Sequence, residues 1–122
     1  MKELNGEQLV IDLYGCDYDV INSKKQIEKI IHHICKKIKT NIVAEKYHVF
    51  EPIGITGFVI ISTSHIAIHT WPEYNYAAID IFSCKTGLPS VIADELKKLF
   101  GADEYTTKTI LRKITTRPTI KK

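Results

Sequence analysis

Hydrophobic and polar positions along the chain fall into two rhythms. Residues 7–14 alternate: Leu9, Ile11 and Leu13 face one way, and Val10, Asp12 and Tyr14 the other. That two-residue period predicts a strand with one buried face. Between Ser23 and Lys37 the period lengthens. Ile27, Ile30, Ile31, Ile34 and Ile38 recur at i, i+3, i+4, i+7 and i+11, the apolar stripe of a helix. Ser23 and Gln26 have the spacing of a capping box at its start. His32 and His33 fall on the polar face and are expected to be solvated.

The strand rhythm returns at residues 41–50, where Pro52 and Gly54 break it. Thr56 to Ser64 is expected to form a third strand. Its run Phe58, Val59, Ile60 and Ile61 is apolar on both faces, which points to a central strand covered on both sides. His65 to Trp71 continues as a fourth strand or as a bent extension of the third. Residues 72–75 make a turn, and Tyr76 to Cys84 is the next strand. Pro89 suits the first turn of a second helix. Ile92, Leu96 and Leu99 supply its stripe, Lys97 and Lys98 favour its C-terminal end, and Gly101 caps it. Residues 104–114 read as the last strand and 117–122 as a frayed tail.

The order β-α-β-β-β-β-α-β, with short turns, implies an α+β fold. It is a two-layer sandwich, a mostly antiparallel sheet with two helices on one face. The bare sheet face then needs cover, and in so small a chain sheet-to-sheet dimerisation is its natural source.

Length and composition narrow the picture without changing it. The 122 residues suffice for a single domain, 1–122, with one modest core. No apolar run approaches the ~18 residues of a membrane helix. Residues 1–6 lack the apolar segment of a signal peptide, so a cytoplasmic location and no membrane partner are expected. The net charge of +3 comes from lysines on the first helix and the tail, with no interleaved aromatics, so no nucleic-acid partner is expected. Cys16, Cys35 and Cys84 form no C-x-x-C, which argues against a disulfide framework or a structural zinc site. Free thiols fit a reducing compartment. Cys35 shares a helix face with isoleucines. Cys84, at a strand end beside Lys85 and Gly87, is better placed as a working thiol.

Hydroxyl, imidazole, carboxylate and thiol meet within residues 62–84. On a strand, His65 and His69 stand ~13 Å apart, too far to share an ion, so no metal is expected. They share a face with Ala67 and Trp71, opposite Ile66, Ile68 and Thr70. A histidine on a strand face beside a corner can act as acid or base near neutral pH. Ser64 lacks the Gly-x-Ser-x-Gly elbow of a hydrolase nucleophile. A serine can instead attack the carbonyl of its own preceding peptide, turning the amide into an ester. Removal of its α-proton then expels the ester and leaves dehydroalanine, which hydrolyses to a pyruvoyl group. Spacing alone does not select this route.

The run from Ser64 through His69-Thr70-Trp71-Pro72-Glu73 to Cys84 resembles the short prokaryotic S-adenosylmethionine decarboxylase proenzymes. So do residues 9–17, from Leu9 to Asp17, and residues 50–54, from Phe50 to Gly54. The resemblance implies self-cleavage between Thr63 and Ser64 into a β chain of residues 1–63 and an α chain of residues 64–122. Ser64 would become a covalent pyruvoyl cofactor, whose carbonyl takes the substrate amine as a Schiff base. His69 would be the proton acceptor in processing and Cys84 the proton donor in catalysis. Phe50 matches an aromatic that stacks on adenine, and Glu73 a carboxylate that holds the ribose hydroxyls. The family builds its site across a homodimer interface, and the product feeds spermidine synthesis.

This chain departs from the family pattern at two positions. Thr63 stands where the family usually has glutamate, and Thr56 where it has a serine that assists processing. These departures leave three expectations: decarboxylation of S-adenosylmethionine, decarboxylation of arginine or ornithine by a member of the same family, and an unprocessed binding or regulatory partner. Phe50 and Glu73 favour the first, because a free amino acid has no ribose to hold.

Overall fold

A computed structural model of the chain describes residues 4–84 and 89–115. Its elements are β1 (Asn5–Tyr14), α1 (Tyr18–Ile21), α2 (Lys24–Lys37), β2 (Ile42–Val49), β3 (Ile55–Ile61), β4 (Ser64–Trp71), a 3-10 turn (Pro72–Tyr74), β5 (Tyr76–Ser83), α3 (Pro89–Leu99) and β6 (Glu104–Lys113). The strands form one six-stranded sheet in the order β2-β3-β4-β5-β1-β6. Every neighbouring pair is antiparallel. The α+β two-layer sandwich expected from the sequence is the observed fold, with the sheet antiparallel throughout.

The core lies between the helices and one sheet face. Leu9, Ile11 and Leu13 of β1, Ile66 and Ile68 of β4, and Ile79 and Ile81 of β5 are buried there. Against them pack Ile27, Ile30, Ile31 and Ile34 of α2, and Ile92 and Leu96 of α3. Each fully buried aliphatic side chain contributes about 1.5–3 kcal/mol relative to exposure. Ser23 caps α2 as its spacing predicts, its hydroxyl accepting the Gln26 N–H at 3.2 Å. At Gly57 the strand passes directly beneath the Tyr47 ring; a Cβ there would stand 2.6 Å from a ring carbon.

Several boundaries differ from the sequence reading. The third strand stops at Ile61, because residues 62 and 63 form a tight turn, and Ser64 is the first residue of β4. The apolar run in β3 is covered on one face only. Phe58 and Ile60 point away from the helices and are 48% and 45% exposed. The short helix α1, capped by the Asp17 carboxylate on the Asp19 N–H, has no periodic signature at four residues. His32 and His33 are exposed but not merely solvated. His32 meets Glu45 of β2 at 2.9 Å, and His33 meets Glu95 of α3 at 2.8 Å. The tail at 117–122 and the neighbours Lys85 and Gly87 lie outside the described residues.

Candidate active site

The chemistry-bearing residues sit at the two ends of β4. At its start, Ser64 follows the two-residue turn and pairs with Ile61 of β3 on one side and Ser83 of β5 on the other. This register brings Cys84, one residue past β5, back to the turn, and the Cys84 N–H donates to the Thr63 carbonyl at 3.3 Å. The carbonyl that Ser64 would attack is thus already hydrogen-bonded, and the exposed Cys84 thiol lies on the adjacent residue. Ser62, the other serine of the turn, has its hydroxyl engaged by the Asn41 N–H at 3.2 Å and by the Thr40 hydroxyl at 2.8 Å.

At the far end of β4, Thr56 and His69 are register partners, and Thr56 Oγ1 lies 3.1 Å from His69 Nδ1. They line a concavity of about 280 Å³ with Phe50, Ile53, Gly54, Thr70, Trp71 and Glu73. Phe50 is held at the mouth by its N–H on the Gly54 carbonyl at 2.8 Å. Its ring takes the His48 ring edge-on at 4.6 Å. Gly54 has φ +107, a conformation that side-chain-bearing residues rarely adopt, and it lets the loop close over this end. Thr70 fixes the floor by accepting the Ile55 N–H at 3.0 Å. Glu73 is exposed on the 3-10 turn at the rim.

The two groups do not meet within one protomer. Five residues of strand separate Ser64 from His69, about 16 Å at the strand rise. Phe50, Thr56, His69 and Glu73 gather at one end, and Thr63, Ser64 and Cys84 at the other. The sheet face between them is open, with exposed apolar side chains interspersed with Gln8, Asp12, His65 and Asp80. Tyr14, Phe58, Ile60, Trp71 and Ile110 are all 40% exposed or more. On this face His65 stacks on Phe58 at 5.3 Å, with its Nε2 3.7 Å from an Asp80 oxygen.

The other two thiols belong to the core. Burial pushes Cys16 and Cys35 up to about 11, which leaves Cys84 as the exposed thiol. Glu28, His32 and Glu45 approach within 4.8 Å of one another, but on the helix side of the molecule, where His32 is already hydrogen-bonded to Glu45. The sequence reading did not single out Ile53, Gly54, Thr70 or Trp71 as cavity residues. Their signal was adjacency, since each lies within four residues of Phe50 or His69. Thr40, which reaches the turn at Ser62 and Thr63 from 22 residues away, carried no local signal.

Comparison with known proteins bears on this arrangement. The family model for S-adenosylmethionine decarboxylase matches residues 7–113. An S-adenosylmethionine decarboxylase proenzyme from Carboxydothermus hydrogenoformans is 42% identical over 104 residues, covering 84% of this chain and 82% of the relative. A proenzyme of the same name from Clostridium botulinum is 42% identical over 109 residues, covering 88% and 94%. The crystal structure of the adenosylmethionine decarboxylase from Aquifex aeolicus superposes with a TM-score of 0.83 at 29% identity, covering 99% of this chain and all of that one.

Proposed function

The chain belongs to the S-adenosylmethionine decarboxylase family, and from that premise we propose that it matures by cleaving its own Thr63–Ser64 bond and works as a two-fold dimer. The family assignment makes it an enzyme that removes the carboxyl group of S-adenosylmethionine. The product is the aminopropyl donor for spermidine synthesis, and the free thiols fit action in the cytoplasm. The arginine, ornithine and non-enzymatic alternatives draw no support from the relatives.

The observation that carries the cleavage reading is the hydrogen bond from the Cys84 N–H to the Thr63 carbonyl. As Ser64 Oγ adds to that carbonyl, negative charge develops on its oxygen. A backbone donor on that oxygen stabilises the charge that develops there. The C–O bond forms, the Thr63–Ser64 C–N bond breaks, and the nitrogen takes up the hydroxyl proton. A base then takes the Ser64 α-proton and Thr63 leaves as a carboxylate. Hydrolysis of the dehydroalanine releases ammonia. A strand-opening serine after a tight turn, with its preceding carbonyl polarised, fits the pyruvoyl group.

That group supplies an electron-withdrawing carbonyl for the electron pair left when carbon dioxide departs. The residues of this chain bind and move protons around it. Phe50 offers an aromatic face to the adenine and to the sulfonium charge, Glu73 accepts from the ribose hydroxyls, and the Cys84 thiol returns a proton to the product carbon. The exposed Cys84 and the half-exposed Phe50 are open to a ligand without rearrangement of the core.

Because the two ends of β4 are about 16 Å apart, one protomer does not assemble this set. We infer that pairing two open sheet faces about a two-fold axis carries the Thr63–Ser64 turn and Cys84, at one end of the sheet of one chain, toward His69, Thr56, Phe50 and Glu73 of the other, although the register puts Ser64 itself beside Ile61 and Ser83. It also buries the exposed Phe58, Ile60 and Trp71. Twofold symmetry then yields two equal sites.

Intact mass tests the cleavage reading. The parent chain is expected to appear as fragments of residues 1–63 and 64–122, the second refusing N-terminal sequencing because its end is pyruvoyl. A sequenceable Ser64 terminus would mean ordinary proteolysis. Ser64→Ala is expected to remain whole, folded and inactive.

A further inference from the structure

We propose that Thr40 is a positioning residue for self-cleavage, its buried hydroxyl holding the scissile turn in the conformation that Ser64 requires. Thr40 is 8% exposed and lies between α2 and β2. Its own N–H is spent on the Cys35 carbonyl at 2.9 Å, in the closing turn of α2. Its Oγ1 stands 2.8 Å from Ser62 Oγ and 3.3 Å from Thr63 Oγ1. A hydroxyl both donates and accepts, so a single Thr40 side chain satisfies both residues of the turn.

The contact has two consequences. Thr63 is gripped at two points, its side chain by Thr40 and its carbonyl by the Cys84 N–H. Two anchors on opposite sides of one residue fix the rotation of the Thr63–Ser64 peptide plane, which sets the direction from which Ser64 Oγ meets the carbonyl carbon. Holding a near-attack geometry is a large part of what an intramolecular reaction needs. Ser62, meanwhile, is taken out of competition. Its hydroxyl bonds Thr40 and the Asn41 N–H, and its N–H donates to the Asn41 carbonyl at 2.9 Å. Thr40 exchanges no proton in the overall step; it acts only through Thr63 and Ser62.

This inference rests on the self-cleavage reading above. The test follows the full-length chain from cell-free synthesis by intact mass, measuring the rate at which the 64–122 fragment appears. Thr40→Val, nearly the same shape without the hydroxyl, is expected to slow cleavage about tenfold, and Thr40→Ser to restore it to within about threefold of the parent. Thr63→Val, which removes the other half of one contact, is also expected to slow cleavage. The double variant should be no more than about threefold slower than the slower single one, since both remove the same hold. Once cleaved, the Thr40→Val enzyme should keep the parental KM.

Cleavage of Thr40→Val at the parental rate overturns the proposal. So does multiplication of the two single effects in the double variant. If Thr40→Val loses its circular dichroism signature of folding, Thr63→Val decides: slowed cleavage supports the hold and parental cleavage overturns it. A parent chain that stays whole overturns the self-cleavage reading itself and is thereby distinguishable.

Discussion

The two ends of β4 are built on different principles. The Ser64 end is tight. A two-residue turn, one backbone hydrogen bond to the Thr63 carbonyl and a cluster of hydroxyls define it. The His69 end is a concavity of about 280 Å³, lined by aromatic rings, a histidine and a carboxylate. On the proposed reading, one end fixes a peptide and the other receives a ligand. That division explains why neither end alone looks like an enzyme, and why the open sheet face between them matters.

Substitutions at the two ends should therefore give different lesions. The largest after loss of Ser64 itself falls on Cys84. Cys84→Ala keeps the backbone N–H that polarises Thr63, so it should still cleave, yet decarboxylate about 100-fold or more slowly, the usual cost of losing a placed proton donor. It should also misplace protons, transferring the substrate amine to the pyruvoyl and so inactivating itself. Intact mass and carbon dioxide release separate the two effects. Equal turnover in variant and parent would remove the thiol from the site.

At the other end, Glu73→Gln and Phe50→Ala should leave cleavage intact and raise KM. An effect of about tenfold is expected for each, on the scale of a charge-assisted hydrogen bond or an adenine stack. Mass and steady-state kinetics check it. A cleavage defect in either would break the division of labour.

The smallest effect concerns the thiols outside the site. Cys84 should react first with a thiol reagent, while Cys16 and Cys35 stay protected by burial. Burial raises Cys16 and Cys35 from 9.0 to about 11. Stability from keeping them protonated is therefore complete below pH 9 and is lost as pH rises toward about 11. Melting curves across that window should fall in the parent and fall less in Cys16→Ala.

Much of this was legible in the sequence because it is periodic. The isoleucines of α2 and the alternation in β1 are local patterns, and both fold as they read. Face assignments on β4 followed from counting by two, so His65, Ala67, His69 and Trp71 share the open face as expected. What failed was not local. Phe58 and Ile60 look like residues of a doubly covered strand, because apolar residues on an uncovered face read the same as residues already buried. The turn at Ser62 and Thr63 carries no glycine or proline to announce it. It is set by contacts with Thr40 and Asn41, some twenty residues upstream. The candidate site residues were picked out by the Ser-His, His-Thr-Trp-Pro-Glu and Cys pattern, but their distribution over two ends required the register of β3, β4 and β5.

On the proposed reading, Ser64 of one chain is processed with the help of His69 of the partner subunit. Mixing two inactive chains tests it most directly. Ser64→Ala lacks the attacking oxygen and His69→Ala lacks the base, and each alone should stay largely whole. Co-refolded, the heterodimer contains one complete pair. The His69→Ala chain alone is expected to be cleaved in the mixture, while the Ser64→Ala chain remains whole, both followed by intact mass. A His69→Ala chain that stays uncleaved in verified heterodimers would contradict it.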